Sequence, residues 1–158
     1  MNLFGLMTTS GSAMQAERMR AEVVAANMAN AETTRTAEGG PYRRQQVVFA
    51  ADRGDGSFLN SMVSASGSMP ASIGANSGMA VAPGVHVSAV VTDPSPPLKR
   101  YDPGHPDADA EGYVSYPDIN PVAEMVDLMG ATRAYGLNGS AVQAEKSMIA
   151  SALEIVKT

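Results

Sequence analysis

The chain has no cysteine and no tryptophan among its 158 residues. The first absence excludes disulfides and thiolate metal sites. The second, with aromatics at only 5%, limits the globular core this sequence can build. Hydrophobic residues still reach 44%, largely as Ala, Val and Met, which pack helices closely. Basic clusters are scarce: Arg43-Arg44 and Lys99-Arg100 are the only basic pairs, and the net charge is −5. Nucleic-acid phosphates demand a clustered positive surface, so no nucleic-acid partner is expected. No stretch approaches the roughly 20 apolar residues of a membrane span, and no membrane insertion is expected. Met1-Asn2 supplies no basic leader, and the apolar run from Leu3 ends at Met7. A cleaved secretory signal is therefore not expected either.

What is present sits mainly at the two ends. Between residues 3 and 31, Leu3, Met7, Met14, Ala21, Val24, Ala25 and Met28 share one helical stripe. Met7, Met14, Ala21 and Met28 repeat every seven residues, the coiled-coil period. From 121 to 156, Leu128, Tyr135, Val142, Ile149 and Val156 recur with the same spacing. Asn120 suits an N-cap and Pro121 a first helical turn. Gly130, Gly136 and Gly139 interrupt the second helix, each costing about 1 kcal/mol relative to Ala. Helices weakened this way gain most from neighbours packed against their small-residue faces, so folding on assembly is the expectation.

The middle reads differently. Gly39-Gly40-Pro41 is a strong break. Residues 46–49 form a short strand pattern, and 84–91 alternate with period two. That alternation places Val85, Val87, Ala89 and Val91 on one face. Leu98 to Tyr101 and residues 112–114 add two shorter extended pieces. Residues 53–83 lose all period in Gly, Ser, Ala and Met, and read as a mobile loop with too little apolar surface to offset its ordering entropy. The expected fold is α+β: a long antiparallel helical coiled-coil pair formed by the two termini, with a small β-rich middle domain. Residues 1–33 and 118–158 would form the discontinuous helical core, and 34–117 the middle domain.

Candidate chemistry is sparse. Asp107, Asp109 and Glu111 alternate before Gly112, with Asp118 at the twelfth position, tracing the outline of an EF-hand loop. Pro103, Gly104 and Pro106 forbid the helix that should enter such a loop, so a solvated acidic turn is the preferred reading over a calcium-binding module. Arg53-Gly54-Asp55 spells an adhesion tripeptide in a loop where chance explains it. His86 and His105 are the only imidazoles, and neither has the partners of a zinc site or a hydrolytic triad. No phosphate loop or nucleophile elbow is present. No catalytic, cofactor-binding or metal-binding residue is expected, and the chain is not expected to be an enzyme.

Ala26-Asn27-Met28-Ala29-Asn30-Ala31-Glu32-Thr33 resembles the signature that closes the amino-terminal helix of bacterial flagellar rod, hook and hook-associated proteins. Asn27, Ala29, Asn30 and Thr33 match it, and Met28 replaces the more usual Leu. Three further blocks resemble the proximal-rod family: Pro41-Tyr42-Arg43 with Val47-Val48-Phe49; Tyr101 to Pro106 with Gly112-Tyr113-Val114; and the tail from Asn120 through Arg133-Ala134-Tyr135 to Lys146-Ser147-Met148. The likeness covers nearly the whole chain outside about 53–83, which looks like an insertion.

The resemblance implies a structural rod subunit of the flagellar basal body, exported unfolded through the flagellar type III apparatus without a cleaved signal. It would polymerise in the periplasm as part of the drive shaft for motility. Its implied partners are other copies of itself, other proximal and distal rod proteins, and the proteins joining the rod to the membrane ring. Another exported helical-tube component is the alternative. The candidate assembly interface comprises Leu3, Met7, Met14, Ala21, Val24, Asn27, Met28, Ala29, Asn30, Leu128, Tyr135, Val142, Ile149 and Val156.

Overall fold

The computed structural model describes residues 3–51 and 84–156. Helix α1 spans Leu3–Ala29 and helix α2 spans Pro121–Val156, with strands β1 (Gln45–Ala51), β2 (Val85–Thr92), β3 (Leu98–Tyr101) and β4 (Tyr113–Tyr116) between them. This is an α+β arrangement of two long terminal helices around a small β-rich middle.

The start of α2 is set by its own residues. Asn120 Oδ1 accepts the Val122 N–H at 3.0 Å, satisfying one of the donors a helix leaves open at its first turn. Pro121 has no N–H to lose there. At 1.5 Å per residue, the 27 residues of α1 reach about 40 Å and the 36 of α2 about 54 Å. The helices pack on one another, and their order reverses across the contact: Arg20 bonds Asp127, while Asn27, further along α1, bonds the earlier Glu124.

Two antiparallel two-stranded sheets make up the middle, β1 with β2 and β3 with β4. The first packs on α1, where Ser12 Oγ accepts the Val85 N–H at 3.1 Å. One expectation fails here. Val48 pairs with Ala89 and Phe49 with Val87, so Ser88 is an extra residue in β2. Such a bulge flips the side-chain alternation. Val85 and Val87 are half-buried, while Ala89 and Val91 are exposed on the other face. The four do not share a face, because simple period two assumes an unbroken ladder.

Val114 of β4 and Ile119 just before α2 are buried. Gly112 turns the chain into β4 with φ near 80°, a conformation that Cβ-bearing residues adopt at a cost.

Candidate assembly interface

The inner seam of α2 is not the row of large apolar residues alone. Its most buried residues are Glu124, Ala131 and Glu145, at 1%, 0% and 5% exposure, with Asn138 half-buried between the last two. Leu128, Val142 and Ile149 lie half-buried beside this row, whereas Tyr135 is exposed. On α1 the buried positions are Gly5, Ser10, Ala16, Val23, Val24 and Asn27. Met7, Met14, Ala21, Met28 and Asn30 are half-buried and Ala29 is exposed. The side chains of Leu3 and Val156 lie outside the described residues. Apolar periodicity missed Glu124, Asn138 and Glu145 because a polar residue contributes nothing to it.

The deepest polar cluster joins α1, α2 and β1. Asn27 Nδ2 donates to Gln45 O at 2.8 Å and to Glu124 Oε2 at 3.1 Å. Its Oδ1 accepts the Gln45 N–H at 2.9 Å and the Tyr42 hydroxyl at 3.2 Å. Both amide donors and two acceptor sites are thereby used. The carboxamide meets both peptide groups of Gln45, much as an antiparallel strand neighbour would. Arg44 Nε completes the cluster by donating to Glu124 Oε1 at 2.6 Å. Glu124 is thus a buried carboxylate with a partner on each oxygen, the condition under which burying a charge is tolerated. Burial of the Tyr42 hydroxyl, and then the negative charge of Glu124, hold its pKa above the ordinary value.

Asn27 was expected at an interface between subunits. In the structure its side chain is buried and its hydrogen bonds are made within the chain. These bonds fix where β1 sits on the helix pair. A second tie lies along the seam. Arg20 bonds Asp127 and lies near Glu17, and the Asp127 hydrogen bond raises the Arg20 pKa further above its usual value.

The acidic turn is occupied by the chain's own donors. Asp107 Oδ2 accepts the Thr34 hydroxyl at 2.8 Å, and its other oxygen lies 3.7 Å from Arg35. Asp109 Oδ1 accepts the N–H groups of Glu111 and Tyr113 at 3.0 and 2.8 Å. These carboxylates hold the turn and dock the β3–β4 hairpin on the segment after α1. Among the described residues no group of three acidic, His or Cys side chains is placed to hold a metal ion. His105 Nδ1 accepts the Asp107 N–H at 3.1 Å. Arg53-Gly54-Asp55 lies outside the described residues.

The side of α2 turned away from α1 carries Val122, Met125, Val126, Met129 and Leu137, all exposed, with Leu137 at 66%. Near the carboxyl end Leu153 and Ile155 are exposed as well. Exposed apolar stripes are a common feature of interaction surfaces.

Residues 7–35 match the family model described as flagella basal body rod protein, and residues 110–155 that of the flagellar basal body rod FlgEFG protein C-terminal region. The flagellar basal-body rod protein FlgC of Bacillus subtilis is 42% identical, the alignment covering 99% of this chain and 100% of the relative. The chain belongs to the FlgC family of flagellar basal-body rod proteins. The FlgC proteins of Borreliella burgdorferi and Salmonella typhimurium are 37% and 35% identical, with 99% and 98% of each chain covered. Both segments matched by the rod models lie mainly on the terminal helices, whereas the likeness to the FlgC proteins runs through the β-rich middle as well.

Proposed function

We propose that the chain is a structural subunit of the proximal rod of the bacterial flagellum, polymerising with copies of itself and with other rod proteins into the periplasmic shaft that transmits torque. The observation that carries this reading is the near-complete alignment to FlgC rod proteins of three distant bacteria. The exposed apolar stripe on α2 supports it, because a long helix keeps such a stripe for a neighbour.

In this reading the termini, 1–33 and 118–158, form the helical core as a coiled-coil pair, and 34–117 form an outer body held in place by the Asn27 cluster. Export proceeds unfolded through the flagellar type III apparatus, and contacts extend to the proteins that join rod and membrane ring. Folding after export suits two seams that complete one another only once both chain ends have emerged. The proposed interface combines the half-buried seam residues already named with the outward stripe of α2.

The test is a tagged chain in purified basal bodies, beside a Leu137→Asp variant. The expected result is tagged chain in the rod fraction, and normal monomer unfolding but no rod completion or swimming for Leu137→Asp. A charge on an exposed face costs little until assembly desolvates it. Absence of the tagged chain from basal bodies would overturn the reading.

A further inference from the structure

The methionines among the described residues divide by helix. On α1, Met7, Met14 and Met28 are half-buried, and Met19 is exposed at 39%. On α2 all three are exposed: Met125 at 52%, Met129 at 63% and Met148 at 54%. Met125 and Met129 stand one turn apart, which makes them neighbours on one face of the helix. Val122 and Val126 beside them are exposed as well, so this pair sits inside the apolar stripe. Met148 instead has Ala144 and Ala152 one turn away.

The chain has no cysteine, so its oxidisable sulfur is methionine's alone. Hydrogen peroxide reacts with a thioether in one two-electron step. The sulfur lone pair attacks one peroxide oxygen and the O–O bond breaks. The departing hydroxide takes the proton of the transferred oxygen and leaves as water. Sulfur is oxidised to the sulfoxide and the peroxide is reduced. A flexible apolar side chain thereby becomes a polar one, reversibly, since methionine sulfoxide reductases restore the thioether. Val122 and Leu128, one turn either side of Met125, carry no side-chain donor for the new oxygen. Covering it on assembly leaves a buried acceptor unpaired, which is unfavourable.

We propose that Met125 and Met129 form a peroxide-sensitive modification site, whose oxidation stops a free copy from joining the rod and which incorporation shields. The proposal rests on the rod reading and deepens it by naming the chemistry that governs addition at the α2 stripe. The half-buried Met7, Met14 and Met28 supply the internal reference, because the helix pair itself limits peroxide access to them.

The experiment treats purified chain and purified basal bodies with the same hydrogen peroxide concentration and follows oxygen gain at each methionine by peptide mass spectrometry. In the free chain, Met125 and Met129 should oxidise several-fold faster than Met7, Met14 and Met28. In basal bodies their oxidation should slow several-fold. Met125→Gln with Met129→Gln sets an uncharged polar group where the sulfoxide would stand. That variant should unfold normally as a monomer yet be missing from basal bodies, whereas Met125→Leu with Met129→Leu should incorporate and swim. Equal rates in free chain and basal bodies, or normal swimming by the Gln variant, overturns the proposal and leaves the rod reading intact. Loss of incorporation by the Leu variant assigns the effect to shape rather than polarity and overturns it too. Where the Gln variant fails to fold, the protection of Met125 and Met129 in the parent decides. Absence of even the parent chain from basal bodies overturns both readings.

Discussion

Arg44 donates to Glu124 over 2.6 Å across 80 residues of sequence, and the carboxylate it reaches is 1% exposed. That bond, with the Asn27 amide on the other carboxylate oxygen, ties the beginning of β1 to the beginning of α2. Neither helix can slide along the other here without breaking contact with the sheet.

Asn27→Ala removes four hydrogen bonds at once. It leaves both peptide groups of Gln45 and one Glu124 oxygen without their partner. Each buried group so orphaned costs about 1–3 kcal/mol, partly recovered by entering water. A loss of about 3 kcal/mol in urea unfolding is expected, enough to remove much of a small protein's stability. Asn27→Asp should cost at least as much, since it sets a second carboxylate against Glu124. An unchanged midpoint for Asn27→Ala would show that the cluster is not stabilising.

Tyr42 gives an alkaline signature. Its folded-state pKa is raised above the ordinary 10.0 by burial and then by the Glu124 charge. The folded chain therefore holds this proton more tightly than the unfolded one. Its contribution to stability is complete below pH 10.0 and declines as pH rises above that value toward the folded-state pKa. Thermal unfolding of the parent and Tyr42→Phe across that range should show a shallower alkaline decline in the variant. Parallel declines would assign the effect to other groups.

At Gly112 an added Cβ would stand 2.9 Å from Tyr101 Cε2 and 3.3 Å from Pro103 Cβ, on a backbone with φ near +80°. The Tyr101 ring is held edge-on to Tyr113 at 5.4 Å between centroids, which restricts its retreat. Gly112→Ala should cost about 1–3 kcal/mol through backbone strain and contact. Thermal unfolding, with near-ultraviolet circular dichroism of the tyrosines, measures it. A shift no larger than that of an exposed surface control would contradict the crowding.

Deletion of residues 57–80 should change the unfolding temperature little. Ala51 and Val85 are cross-strand partners, so the two ends of this connection already meet. The closure entropy of the link between them changes only slowly with its length. Swimming should also persist. Loss of rod assembly by a stably folded deletion variant would assign the segment a contact of its own.

Calcium should have no effect on the acidic turn. Asp107 and Asp109 are engaged by Thr34, Glu111 and Tyr113, so a cation would have to displace bonds already made. Titration followed by thermal unfolding should show no shift, and Ala at either position should impair swimming far less than Leu137→Asp. A calcium-dependent rise in unfolding temperature would revive the cation-binding reading.

Much was legible in the residues. Asn120-Pro121 marks the start of α2, and residues 98–101 match β3 as observed. These features are written locally, in caps, prolines and hydrophobic periods, which act over a few neighbouring residues. The family blocks from Asn27 to Met148 were legible for another reason: a motif survives as a string whatever its spatial role. The role of Asn27 did not follow from the string. A short polar side chain near a helix end reads equally well as a cap or as a contact with another subunit.

Sequence alone determined that two long helices close the chain, that short strands lie between them, and that the whole resembles a rod subunit. Tertiary structure alone decided which faces of those helices are spent. A heptad period states that a stripe exists, whereas burial depends on which atoms cover it, and those come from residues about a hundred positions away. The Glu124, Asn138 and Glu145 row is invisible to apolar periodicity, and the Ser88 bulge is invisible to simple alternation. Neither a polar group nor an extra residue contributes to an apolar period, so only the packed chain shows where they lie.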